Sequence, residues 1–131
     1  MENFEEKIAD ITKRTDLAFR ALYGVWDSID MERGWAQAKP LLTVEGEVSV
    51  AYTRAKAGSI FGLHSHKNVR ECIQLTTKGA IVRIEMDGAT HTIEYGIPFC
   101  VNENVEHRVI CQTDANFVVS TIPNNPSWPE K

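Results

Sequence analysis

The chain has 131 residues, of which 43% are hydrophobic and 24% are charged, so its composition predicts one folded domain and excludes a disordered chain. Its formal net charge of -4 offers no attraction for phosphate backbones, so we expect no nucleic-acid partner. No run of about eighteen apolar residues occurs, and we therefore expect no membrane span.

An apolar stripe runs through residues 1–30 and predicts an N-terminal amphipathic helix. Its members recur at alternating steps of four and three, as one face of a helix requires: Phe4, Ile8, Ile11, Thr15, Ala18, Leu22, Val25 and Ile29. This face is expected either to cover apolar surface of the main domain or to form a seam with a second copy of the chain. The stripe is too short and irregular for a coiled coil, but it favours a homodimer.

Further along the chain the apolar residues recur with a two-residue period, which is typical of β-strands. Residues 31–46, which hold glycine and proline, are predicted to be a linker, residues 47–123 a β-barrel, and residues 124–131 an extended tail. Asp87-Gly88 lies between two alternating runs and predicts a tight hairpin. Strands follow one another without intervening helices, so we expect an all-β fold, an antiparallel barrel or sandwich preceded by an α-helix.

The N-terminus and the cysteines indicate the compartment. The first residues are acidic and polar, whereas a secretory signal has a basic start and an apolar stretch. The three cysteines, Cys72, Cys100 and Cys111, are odd in number and lack C-x-x-C spacing. They predict neither a disulfide framework nor a zinc finger. We therefore expect a cytoplasmic protein.

Four residues of metal-ligand type fall on predicted strand faces. His64 and His66 are two residues apart, so on a strand both imidazoles point to the same side. Glu71 and His107 each share a face with apolar residues two and four positions further on. A carboxylate aimed at an apolar interior is costly unless a metal ion or a buried arginine neutralises it. Three imidazoles and one carboxylate suit divalent Mn, Fe, Co, Ni, Cu or Zn.

Residues 48–123 resemble the cupin superfamily through two motifs. The first motif begins at Gly58, continues after five residues with His64-Ser65-His66, and reaches Glu71 after four more. Its closing glycine, Gly79, comes one residue later than the motif has it.

The second cupin motif is matched at its first glycine, Gly96, and at its histidine, His107. Asn102, Asn104 and Cys111 stand where the motif has proline, glycine and asparagine. Asparagine tolerates the backbone shapes that turns need, so these departures affect turn residues more than ligands. The residue types at all four ligand positions are those of the motifs.

The resemblance implies a cupin-type β-barrel, also called a double-stranded β-helix or jelly roll, with a metal ion held by His64, His66, Glu71 and His107. It implies a small-molecule ligand and, if the protein is an enzyme, a metal-dependent reaction of the dioxygenase or isomerase kind. The alternative is a metal-containing sensor or binding module that dimerises without turnover. A third possibility is an ion that only stabilises the fold.

Five further residues are candidates for the wall or mouth of a pocket beside the metal. Phe99, Val101 and Cys111 have inward parity on predicted strands. Tyr52 and Arg54 lie on a neighbouring predicted strand, and an inward Arg54 would suit an anionic substrate. Beyond the ligands no dedicated general base stands out, which favours oxidation or isomerisation over hydrolysis.

Overall fold

A computed structural model of the chain describes residues 3–123. Within this range one helix, α1 (Phe4–Tyr23), precedes ten strands: β1 (Asp27–Ser28), β2 (Ala36–Val44), β3 (Val48–Ala55), β4 (Ser59–His64), β5 (Arg70–Leu75), β6 (Val82–Met86), β7 (Ala89–Ile93), β8 (Phe99–Val101), β9 (His107–Cys111) and β10 (Ala115–Ile122). The tail predicted for residues 124–131 lies outside the described residues.

Two antiparallel sheets form the domain. The larger has six strands in the order β1-β2-β3-β10-β5-β8, and the smaller has four in the order β4-β9-β6-β7. One apolar core includes Ile73 and Phe117 of the larger sheet and Val82, Ile84 and Val109 of the smaller. The sheets thus pack face to face as a jelly roll behind an N-terminal helix, and the predicted fold class is confirmed.

Helix α1 is shorter than predicted because glycine ends it. At its start the Asn3 side chain accepts the Glu6 N–H while the Glu6 carboxylate accepts the Asn3 N–H, which is a capping box. At its end Gly24 turns into extended backbone and donates its N–H to the Arg20 carbonyl at 2.8 Å. The helix therefore has 20 residues, and none of its side chains is buried. No helix within residues 3–123 is long and apolar enough to cross a bilayer.

Strand β2 occupies most of the region predicted as a linker. It pairs with β3 from Ala36 opposite Ala55 to Val44 opposite Val48, so the β-domain begins well before residue 47. Pro40 lies where the register shifts, a position at which a missing N–H is tolerated. The sequence pattern did not reveal this strand, because the proline interrupts the alternation of inward and outward residues and is rare inside strands.

The hairpin between β6 and β7 has the turn that its sequence predicted. Asp87 and Gly88 are the two residues between the strands, with φ angles of 55° and 74°. Two successive positive φ angles define a type I′ turn, whose twist matches that of the flanking strands.

Cys72 and Cys100 form a disulfide, where the sequence predicted no disulfide framework. They lie directly opposite each other on β5 and β8. An odd cysteine count could not reveal this pair, because sheet register decides which residues face one another. Cys111 is free and buried, and burial raises its pKa to about 12, so it is a neutral core thiol near pH 7.

Candidate metal centre

Four side chains from both sheets meet between them. His64 is the last residue of β4 and pairs with His107, the first residue of β9. His66 follows in the loop after β4, and Glu71 comes from β5 of the opposite sheet. A possible ligand atom of each residue lies within 4.8 Å of those of the other three. The structure therefore brings together all four residues that the sequence predicted as metal ligands.

The carboxylate of Glu71 lies between two imidazoles and is withdrawn from solvent. Its Oε2 is 2.9 Å from Nε2 of His66, and its Oε1 is 3.2 Å from Nε2 of His107. Only 5% of Glu71, 5% of His66 and none of His107 is exposed. A buried carboxylate without a compensating charge is unfavourable, so positive charge is required here.

Backbone carbonyls fix the ring orientation of two histidines. Nδ1 of His64 is 2.6 Å from the Gly62 carbonyl oxygen, and Nδ1 of His107 is 3.0 Å from that of Val105. A carbonyl oxygen only accepts, so in both rings the Nδ1 nitrogen carries the proton and donates it. In their neutral forms both rings therefore present an Nε2 lone pair, as metal-binding histidines do.

The His107–Glu71 contact needs a cation between its two atoms. Nε2 of neutral His107 is an acceptor, and so is the ionised carboxylate oxygen that it faces. A metal ion or an additional proton between these two acceptor atoms would remove the repulsion between their lone pairs. The four candidate ligand atoms all lie within 4.8 Å of one another, close enough for one ion to bind them together. The residues present therefore fit a metal ion.

The protonation states favour a metal as well. Burial opposes ionisation of Glu71, but the imidazoles of His107 and His66, which donate hydrogen bonds to it when a proton rather than a metal ion lies between them, outweigh burial and lower its pKa to about 2. Burial lowers the pKa of His64, although the hydrogen bond to Gly62 raises it. At neutral pH Glu71 is thus anionic and His64 neutral, which are the forms that bind metal ions. Imidazole and carboxylate donors suit divalent transition metals without selecting one.

A cavity of about 400 Å³ lies beside the four residues. His64, His66 and Glu71 border it, and apolar side chains from both sheets and from the segment before β2 form most of its wall: Ile29, Met31, Phe61, Ile73, Phe117 and Val119. The volume falls in the range of small-molecule sites.

Residues 29–32 border one side of the cavity, and the segment 29–35 that contains them is held in place from several directions. Arg33 bridges to Ile60 of β4, and Ser59 exchanges hydrogen bonds with the backbone of Trp35. Gly34 has a φ of +80°, and a Cβ there would lie 2.5 Å from Ser59 Oγ, so glycine is required. Arg108 of β9 donates to Glu32, and this hydrogen bond lowers the pKa of Glu32.

Tyr52 and Arg54 lie on the outer face of β3, which corrects the prediction that they line the pocket. The Tyr52 ring packs edge-on against Trp26 at 6.0 Å, and the Arg54 guanidinium stacks on the same indole at 3.8 Å. Arg54 also donates to Gln37 at 2.7 Å. The small residues alternating with them face inward, so Arg54 offers no charge to an anionic substrate in the cavity.

Phe99, Val101 and Cys111 are absent from the described cavity wall. Val101 and Cys111 are buried in the apolar core, and Phe99 packs against it. Strand β8, which carries Phe99 and Val101, lies beyond β5 at the edge of the larger sheet, whereas the strand residues that border the cavity come from β3, β4, β5, β9 and β10. The sequence could predict that these three side chains point inward, but it could not predict which side of the core contains the cavity.

Residues 29–32, Thr53 and Phe61 border the cavity and were not expected to. The available signal was the run of small residues on β3, since small inward side chains leave space between sheets. Residues 29–32 gave no such signal, because the sequence pattern predicts the end of a helix and the start of a linker there.

No protein-family model matches the chain, and no curated protein matches it. Solved structures match it at low sequence identity. A predicted oxalate decarboxylase from Thermotoga maritima is 20% identical with a TM-score of 0.70, covering 79% of this chain and 96% of that one. An RmlC-like cupin from Shewanella frigidimarina is 16% identical with a TM-score of 0.66, covering 79% and 88%.

Ectoine synthase from P. lautus is 23% identical, with a TM-score of 0.61, and the match covers 76% of this chain and 70% of that one. At these identities the likeness concerns the fold. Together with the two-sheet topology and the four clustered ligand-type residues, it shows that this chain has the cupin fold with a candidate metal site.

Proposed function

We propose that this cupin-fold protein binds a divalent transition metal through His64, His66, Glu71 and His107, and acts on a small molecule held in the adjacent cavity. The observation that carries the proposal is the meeting of the His107 Nε2 lone pair with the Glu71 carboxylate beside a cavity. The proposed reaction is of the dioxygenase or isomerase kind. The ion's identity is left open among Fe, Mn, Ni, Zn, Co and Cu.

The chain's own residues would orient the ligand and exclude water. The apolar side chains of both sheets favour an apolar molecule over water, and the ligand residues lie at one border of this space. When bound, the metal would supply Lewis acidity to oxygen atoms of the small molecule. Glu71, with its pKa near 2, enters as an anion and so is not the resting proton donor.

Two named neighbours support an enzymatic role, since one is a predicted oxalate decarboxylase and another an ectoine synthase. The alternative is a metal-containing sensor that binds a small molecule without turnover. The exposed helix α1 favours that alternative, because it offers a surface for transmitting a signal. The cavity argues against a purely structural ion. A cytoplasmic location belongs to the same proposal.

The proposal is tested by metal analysis and oxygen uptake. Purified protein is expected to contain one divalent ion per chain, and chelation is expected to lower its melting temperature, since an ion that binds only the folded state stabilises it. Oxygen consumption with a panel of diketones, thiols and phenols then separates an oxygenase from a sensor. Absence of metal in the purified protein, with no ion raising the melting temperature, would contradict the proposal.

A second copy of the chain is the partner proposed for α1. Its stripe of Phe4, Ile8, Ile11 and Leu22 is exposed, with 47% of Ile8 and 73% of Leu22 in contact with solvent. Helices in proteins gain most of their stability by packing an apolar face rather than from intrinsic propensity. The small molecule and this second copy are the proposed partners, rather than nucleic acid or membrane.

Ile8→Lys is expected to convert the proposed dimer to a monomer, because it places a charge within the apolar stripe. Light scattering coupled to gel filtration measures the mass. Ala9→Lys is the matched control, since the neighbouring position lies about 100° around the helix and its variant should remain a dimer. A monomeric wild-type protein would contradict the proposal that α1 forms a dimer.

A further inference from the structure

Thr53 borders the cavity and carries a buried hydroxyl without a hydrogen-bond partner among the described residues. Its side chain points inward from β3, and only 1% of the residue is exposed. Burying an unpaired hydroxyl destabilises a fold, and such groups are rare in native structures. A ligand that carries a polar atom at this end of the cavity would supply the missing partner.

Sheet register separates Thr53 from the metal ligands. On β10, Thr121 is opposite both Ser49 and Glu71, whereas Phe117 is opposite Thr53. Thr53 thus lies four residues further along β3 than the row that contains Glu71. At about 3.3 Å per residue this is about 13 Å along the strands. The cavity therefore has two polar ends, the metal ligands and the Thr53 hydroxyl, with apolar wall between them.

The charges around the cavity restrict the ligand further. Its described lining residues include no lysine or arginine, and the nearest arginine on β3, Arg54, faces outward. Asp30 and Glu32 also border it, and the Glu32 carboxylate is already paired with Arg108. An anionic group on the ligand would have no partner away from the metal, so a neutral ligand is favoured.

We propose that the Thr53 hydroxyl binds a hydroxyl or carbonyl oxygen of a neutral, largely apolar ligand, and so selects ligands that carry such an oxygen away from the metal-binding end. The claim that the ligand also contacts a metal rests on the proposed function, whereas the claim that it contacts Thr53 does not. Thr53 is in this view a specificity-determining residue that is kept at a cost to the stability of the empty protein.

The test compares phenol with toluene, which differ by a hydroxyl in place of a methyl group, on full-length wild-type protein and on Thr53→Val. Binding is measured by NMR titration. Valine keeps the shape of threonine, so we expect the phenol-to-toluene affinity ratio to fall by roughly tenfold, the size of one neutral hydrogen bond. The ligand-free variant should melt at the same or a higher temperature, because the unpaired hydroxyl is gone.

Thr53→Ser keeps the hydroxyl and should keep the preference for phenol. If Thr53→Val does not fold, Thr53→Ala is measured in its place. An unchanged phenol-to-toluene ratio in the valine or alanine variant would overturn the inference. Metal content is measured on the same samples and should be unaffected by these substitutions. A changed ratio in protein that binds no metal would support the Thr53 site and contradict the metal proposal, so the two can fail separately.

Discussion

His66→Ala is expected to abolish tight binding of a divalent ion. The substitution removes one of four ligand atoms and one of the two contacts that hold Glu71. Loss of residues that only support a metal ligand weakens binding by about 10–100-fold, so loss of a ligand should weaken it by more than about 100-fold. Isothermal titration with Zn²⁺ and Ni²⁺ and metal analysis of purified protein measure the change.

The chain offers a matched control for this substitution. His91 on β7 is the one histidine of the sequence outside the cluster. His91→Ala should leave metal content and affinity unchanged. Unaltered metal occupancy in His66→Ala would show that the ion binds elsewhere, and an equal loss in His91→Ala would point to nonspecific binding by surface histidines.

The candidate ligands could be predicted because they obey the period of a strand. Glu71 and His107 each lie on a face whose other members are buried, and a polar residue on a buried face indicates a function. His66 is the exception, since it lies beyond the end of β4. Strand parity placed it beside His64 on the assumption that the strand continues to residue 66, whereas in the structure its position depends on the loop after β4.

The cavity was not predicted, because the small inward residues that indicate it are the opposite of the usual pattern for a buried strand face. On β3 the larger Val48, Val50 and Tyr52 face outward, and the small residues between them face the interior. Hydrophobic size normally marks the inward face, whereas an internal cavity requires small residues there. Strand β2 was missed for a different reason, since Pro40 breaks its alternation at a register shift.

The Cys72–Cys100 disulfide should contribute strongly to stability. It closes a sequence separation of 28 residues and clips the three-residue edge strand β8 to β5. A crosslink over a loop of that length is worth about 3–4 kcal/mol through the entropy of the unfolded chain. The double variant Cys72→Ser/Cys100→Ser is therefore expected to melt roughly 10 °C lower than the oxidised wild type. Scanning calorimetry measures this.

Reductant supplies the control, because it should lower the melting temperature of the wild type towards that of the double variant and leave the variant unchanged. Without reductant, the unfolded wild type should release one reactive thiol, from Cys111, and three free thiols would contradict the pairing. Cytosolic thiols are kept reduced. Quenching intact cells in acid and then alkylating the unfolded protein therefore tests the location too. Three free thiols are expected if the protein is cytoplasmic, and one is expected if it resides in an oxidising compartment.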